Sequence, residues 1–217
     1  MEAVVHRGMN LLAQPVIVDY GMGNLWSVFS ALRYLGAAPT VSADPDVVAK
    51  ANTLILPGVG SFNKAMQALN SSGLADALRY AVIVRQRKLL GICLGMQLLA
   101  ERGNEDGVSA GLGFIPGTVE RFTRGELQDG KLPHIGFNRV RADAKSRLFQ
   151  GIMKSSDFYF IHSYRLLANG LPGKHGICNY GVDFLAAIEH ENIFATQFHP
   201  EKSQTNGLQL LSNFLAI

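Results

Sequence analysis

Residues 88–99 read Lys-Leu-Leu-Gly-Ile-Cys-Leu-Gly-Met-Gln-Leu-Leu (KLLGICLGMQLL). Leu89 to Cys93 is a short apolar run of the kind that forms a strand buried on both faces. From Leu94 to about Glu101 the apolar spacing is helical. The chain therefore turns from strand to helix at Cys93, which Gly91 and Gly95 flank two positions before and two after. A residue on so sharp a turn adopts a strained backbone and is pushed out of the sheet, so its close neighbours must be small. The helix start behind it offers unpaired N–H groups of Leu94 and Gly95 to an oxyanion, and its dipole favours a thiolate. Free cysteine is also among the most buried residue types, and the flanking glycines alone leave nucleophile and core filler both open.

Working outward, the same rhythm repeats. Val16-Ile17-Val18-Asp19-Tyr20 is a buried strand ended by Gly21, and residues 25–35 form a helix that stops at Gly36. Strands follow at 40–42 and 54–56, the latter running into Pro57-Gly58-Val59-Gly60, and residues 63–69 and 73–85 are helical. Alternating strand and helix predicts an α/β fold with a mostly parallel central sheet and helices on both faces. Beyond residue 105 glycine and proline become frequent. Strand-like pieces lie at 117–122, 137–141, 157–161, 184–189 and 193–198, and a last helix at 205–215. This is one domain, residues 15–217, whose second half is richer in antiparallel strand. Residues 1–14 read as an extension, either a native leader or the product of a misassigned start with Met9 the true one. Ligands of such sheets bind at the carboxyl ends of the strands. Here those ends are Gly21-Met22-Gly23, Pro57-Gly58-Val59-Gly60 and Cys93.

Composition narrows the function. The 217 residues are 47% apolar and 17% charged, and 20 basic against 17 acidic residues leave a net charge of +3. No basic run with interleaved aromatics implies nucleic acid, and no stretch is apolar for the ~18 residues of a membrane span. Two cysteines do not make a disulfide framework, and with no cleavable signal at the N-terminus the default compartment is the reducing cytoplasm. Cys178 lies in a Gly-rich segment and reads as a structural loop residue.

A thiolate nucleophile needs a base, and Gln197-Phe198-His199-Pro200-Glu201-Lys202-Ser203 offers one. Pro200 biases His199 towards extended backbone, where residues two apart share a face. Glu201 can then accept the Nδ1 proton and leave Nε2 towards the thiol, which is triad logic. A His and a Glu on a surface turn is the plainer account of that segment alone. The glycines of Pro57-Gly58-Val59-Gly60 allow an unusual backbone that can present a second N–H to an oxyanion. Gly21-Met22-Gly23 opens like a dinucleotide loop but lacks the third glycine and the acidic residue about 20 positions on. No cofactor is implied. His6, His134, His162, His175 and His190 form no cluster with metal-ligand spacing, so no metal is expected.

From about residue 15 to its end the chain resembles the class I (triad) glutamine amidotransferases, and within them the glutaminase subunits of imidazole glycerol phosphate synthase. The resemblance rests on Asp19-Tyr20-Gly21-Met22-Gly23-Asn24-Leu25, Leu56-Pro57-Gly58-Val59-Gly60, residues 91–99, Gly111-Leu112-Gly113-Phe114-Ile115-Pro116-Gly117, His162-Ser163-Tyr164 and residues 198–203. It implies a flavodoxin-like amidotransferase fold and hydrolysis of L-glutamine to glutamate and ammonia through a thioester on Cys93. His199 would shuttle protons and Glu201 would orient it. Leu94 with Val59 or Gly60 would hold the oxyanion, and Gly58, Gln97, Glu105, Ser163 and Tyr164 would meet the substrate. A cyclase subunit in a heterodimer would receive the ammonia, with Asn24, Phe137 and Lys202 at the interface.

One departure bears on the partner. The family usually shows Pro-His-x-Gly-Trp-Asn, whereas this chain has Pro133-His134-Ile135-Gly136-Phe137-Asn138. Phe137 keeps an aromatic body and loses the indole N–H. A paralogous glutaminase feeding a synthase of bacterial surface-sugar biosynthesis is therefore the alternative to the histidine-pathway enzyme.

Overall fold

The structure, a computed structural model, describes residues 13–127, 130–167 and 170–217. Most of the expected residues 1–14 extension therefore lies outside the described residues; Ala13, at its edge, accepts a backbone hydrogen bond from Ala38.

The parallel half of the main sheet is built from β1 (Val16–Val18), β2 (Thr40–Ser42), β3 (Thr53–Gly58), β4 (Lys88–Cys93) and β13 (Ile193–Thr196). The second half adds β8 (His134–Ala142), β9 (Ser155–His162), β11 (Lys174–Tyr180) and β12 (Val182–His190). The order is β2-β1-β3-β4-β13-β12-β11-β8-β9. Pairings are parallel from β2 to β13 and antiparallel from β13 to β9. The α/β fold with helices on both faces and antiparallel strands in the second half is thus as expected.

Alternation along the central strands divides the core in two. Leu54, Leu56 and Leu89 face one cluster with Phe62, Met66 and Leu69 of α3 (Phe62–Ser71) and Leu74 and Leu78 of α4 (Leu74–Arg79). Ile17, Ile55, Leu90 and Ile92 face the other with Val28 and Leu32 of α1 (Leu25–Tyr34) and Leu210, Leu211 and Phe214 of α6 (Gln204–Ala216). Burial on both faces is why these strands read as continuous apolar runs.

Two expectations are corrected. The helix after Cys93, α5, spans only Leu94–Leu98. The chain is then recruited into β5 (Ala100–Gly103), which pairs with β6 (Ser109–Ala110) and β7 (Ile115–Arg121) in a second sheet ordered β10-β7-β5-β6, where β10 is Tyr164–Leu167. Cys178 lies in β11, not a loop, and is fully buried. Flanking glycines and asparagine disguise that strand. α2 (Pro45–Lys50) adds a helix that the apolar spacing does not reveal, although Asp44 and Pro45 are a capping residue and a first-turn proline; the Asp44 carboxylate accepts from Asp46 N–H at 2.9 Å.

Candidate active site

β4 delivers Cys93 to the carboxyl edge of the sheet with φ +55° and ψ −109°, a left-handed backbone on a non-glycine residue. Such strain persists only where the surroundings over-determine it, and the glycines show how. A Cβ on Gly95 would stand 1.7 Å from the Leu56 carbonyl oxygen, and one on Gly91 2.9 Å from the Gly95 carbonyl. Gly58, opposite Cys93 in the β3–β4 ladder, has no room either, because its Cβ would meet the Tyr20 hydroxyl at 2.1 Å.

β13 lies beside β4, and the chain leaving it carries His199 and Glu201 to the same edge. His199 has extended backbone at φ −97° and ψ 98°, and Pro200–Lys202 form one 3-10 turn. Its Nδ1 lies 2.8 Å from Glu201 Oε1. Among the described residues, His199 Nε2 and Glu201 Oε2 are buried without hydrogen-bond partners. Burial pushes the imidazole down, but the charge of Cys93 beside it and the Glu201 carboxylate outweigh burial and raise its pKa to about 10. A thiol, an imidazole and a carboxylate so placed can generate a thiolate and return its proton to a leaving group.

In front of Cys93 lies a cavity of about 380 Å³ lined by Val59, Gly60, Leu94, Gln97, Glu105, Ser163 and Tyr164, among others. The fold thus brings together every residue expected at the oxyanion and substrate sites except Gly58, which is packed behind the wall against Tyr20 and Leu94. Glu105 accepts from the Phe62 N–H at 2.8 Å. Burial raises its pKa, the Phe62 hydrogen bond opposes that, and Asp106 adds to it.

Several residues at the site have contacts that the sequence motifs do not foretell. Gln197 is fully buried and donates from Nε2 to Cys93 Sγ at 3.7 Å; it lies two residues before His199, but the chain bends at residues 197 and 198, so the alternation of an extended strand does not account for its place. Gln97 Nε2 donates both to Gln197 Oε1 at 3.0 Å and to the Tyr164 carbonyl at 2.9 Å. Arg121 lines the cavity and stands opposite Tyr164 in the β7–β10 ladder. That placement depends on a strand pairing invisible to local reading. The Tyr20 hydroxyl is buried without a partner among the described residues, and burial, then the Cys93 charge, push its pKa up. His134 and His162 lie ring to ring, His162 lining the cavity and His134 next to it, and burial holds them down to about 4 and about 3.

The three residues expected at an interface are not in the cavity. Asn24 caps α1, its Oδ1 accepting from Ser27 N–H at 3.4 Å. Phe137 is 50% exposed and meets Tyr159 edge-on at 5.5 Å, and Lys202 Nζ stands 6.0 Å from the same Tyr159 ring.

A strained cysteine at a strand–helix turn of a doubly wound sheet, backed by a His–Glu pair, defines an α/β protein of the nucleophile-elbow kind. The family model for class-I glutamine amidotransferase matches residues 16–217, and the chain belongs to that family. It is 45% identical over 203 residues to imidazole glycerol phosphate synthase subunit HisH 1 of Campylobacter jejuni, covering 93% of this chain and 98% of the relative. The subunit HisH of Moorella thermoacetica is 46% identical over 198 residues, 91% and 92% of the two chains. Among solved structures, PurLQS from Thermotoga maritima superposes with a TM-score of 0.71 at 16% identity, over 94% of this chain and 97% of that one. A further glutamine amidotransferase structure gives 0.70 at 21%, over 93% and 97%. At such identities these two bear on the fold alone.

Proposed function

We propose that this chain is the glutaminase subunit of an imidazole glycerol phosphate synthase, hydrolysing L-glutamine and passing ammonia to a cyclase subunit in a cytoplasmic heterodimer with lyase activity. The observation that carries the chemistry is the strained Cys93 on its elbow with the buried His199–Glu201 pair behind it. Cys93 Sγ attacks the side-chain amide carbon, and N–H groups of Leu94 and of Val59 or Gly60 hold the oxyanion. His199 delivers a proton to the leaving nitrogen, which departs as ammonia and leaves a glutamyl thioester. Water, deprotonated by His199, then releases glutamate and restores the thiol.

The cavity suits a zwitterion. Glu105 supplies an anion for the α-ammonium and Arg121 a cation for the α-carboxylate. Gln97, with both N–H bonds committed, offers only its Oε1 to the ammonium. The relatives named as synthase subunits favour the histidine-pathway partner over the surface-sugar synthase.

The test is glutamate release from glutamine by the protein alone, with the cyclase, and with the cyclase and its nucleotide substrate, each beside a Cys93→Ala control. Stimulation by the loaded cyclase that vanishes in the control supports the assignment. Cysteine-dependent release indifferent to the cyclase overturns the partner, and no release in any mixture overturns the glutaminase.

A further inference from the structure

Two buried histidines take no part in the chemistry above, yet their hydrogen bonds lead to it. His162 Nδ1 lies 2.8 Å from the Tyr164 carbonyl oxygen. A carbonyl only accepts, so Nδ1 carries the hydrogen, and in a neutral ring Nε2 is then an acceptor. His134 Nδ1 lies 3.0 Å from that Nε2 and must therefore donate to it. His134 Nε2 is in turn an acceptor, facing the Asn138 amide nitrogen at 3.4 Å, which also donates to the Asn179 carbonyl at 3.1 Å. Each direction is forced by the one before it. From Tyr164 the chain continues inward: Gln97 donates to the same carbonyl and to Gln197, and Gln197 donates to Cys93 Sγ.

We propose that His134 is a positioning residue of the glutaminase site: by donating to His162 Nε2 it fixes the His162 tautomer, and through the Tyr164 carbonyl it holds the substrate wall and the Gln97–Gln197 pair against Cys93. The ring is built for that task. It is 2% exposed and stacks between Phe160, at 4.7 Å between centroids, and Tyr180, at 3.9 Å, so it cannot turn its nitrogens elsewhere. Without its donor, His162 Nε2 becomes a buried acceptor with nothing to accept from, so only the Tyr164 carbonyl still favours the Nδ1–H tautomer, and the bond that closes the bend between β9 and β10 is weakened. A stacked aromatic with no hydrogen-bond duty would not need a nitrogen at 3.0 Å from the next ring. The consequence for substrate binding rests on the glutaminase reading; the tautomer does not.

The test uses the full chain with ¹⁵N-labelled histidine. Side-chain NMR at neutral pH is expected to show His134 and His162 as neutral Nδ1–H tautomers. In His134→Phe, which keeps the stacking, the His162 tautomer should become mixed and KM for glutamine should rise roughly three- to tenfold with kcat little changed. His134→Gln, whose amide can donate to His162, should recover part of that KM. An Nε2–H tautomer at His162 in the unaltered protein overturns the proposal, whether or not either variant folds. So does an equal KM change in the Phe and Gln variants, or none in either. Expected tautomers in a protein that releases no glutamate would leave the relay standing and count against the glutaminase reading instead.

Discussion

His199 Nδ1 and Glu201 Oε1 lie 2.8 Å apart across a single 3-10 turn, with side chains 3% and 1% exposed. A carboxylate so enclosed both aims the imidazole and charges it. The pKa of His199 is raised to about 10, above the ordinary 6.5, despite burial, by Cys93 and Glu201. A raised folded value means the pairing stabilises in full below about pH 6.5 and is lost as pH climbs through 10. Glu201→Gln keeps the shape and removes the charge. It is expected to lower kcat by about two to four powers of ten while KM for glutamine changes little. Urea unfolding should show a wider stability gap between wild type and variant at about pH 6 than at about pH 10. A gap that is constant or widens with pH would contradict the assignment of the charge to this pair.

Gly95 is the tightest point of the elbow. A methyl group there would meet a backbone oxygen, that of Leu56, which no rotamer change can move. Gly95→Ala should destabilise the protein by about 2–3 kcal/mol and abolish Cys93-dependent turnover. Gly125 is the control: among the described residues an added methyl carbon would meet nothing within 4 Å and its φ is not positive, so Gly125→Ala should melt like wild type. Thermal unfolding of the two variants side by side decides the matter, and equal melting temperatures would remove steric necessity as the reason for Gly95.

Charge at the cavity can be read from substrate analogues. If Arg121 meets the α-carboxylate, Arg121→Gln should raise KM for glutamine by about tenfold. It should also erase the enzyme's preference for glutamine over its α-carboxamide. The two substrates differ only in the group Arg121 would bind, so a purely structural loss would handicap both alike. Steady-state kinetics on both substrates make the comparison.

What could be read from the sequence tracks how local its cause is. The Cys93 elbow depends on glycines two positions away and the His199–Glu201 pair on residues two apart, so both were legible, although Glu201 reaches Nδ1 across the Pro200–Lys202 3-10 turn and not along the extended chain expected from Pro200. β3, β4 and β13 announced themselves because burial on both faces leaves no polar residue in their middles. β5 and β10 did not. Each has four residues, and β5 places Glu101 and Arg102 at the surface, so the second sheet becomes visible only when β7 supplies their partners. Arg121 was lost with it, since its place opposite Tyr164 is a non-local pairing. The His134–His162 contact escaped for the same reason: the two are ladder partners of β8 and β9, 28 positions apart in sequence.

Phe137 tests the proposed partner without touching the chemistry. Its ring is half exposed on β8, braced by Tyr159, and Lys202 adds a positive charge over the same tyrosine. An aromatic anchor beside a cation is a common centre of an interface, and truncating one typically costs about 1–2 kcal/mol or more. Phe137→Ala should therefore weaken binding to the cyclase by about tenfold in calorimetric titration, and Lys202→Ala by a smaller factor. Neither should alter cysteine-dependent glutamate release by the isolated chain, because neither side chain lines the cavity. Undiminished binding in both variants would move the interface off this face of the sheet, while a fall in the isolated activity would mean that Phe137 also supports the His134–His162 pair carried by β8 and β9.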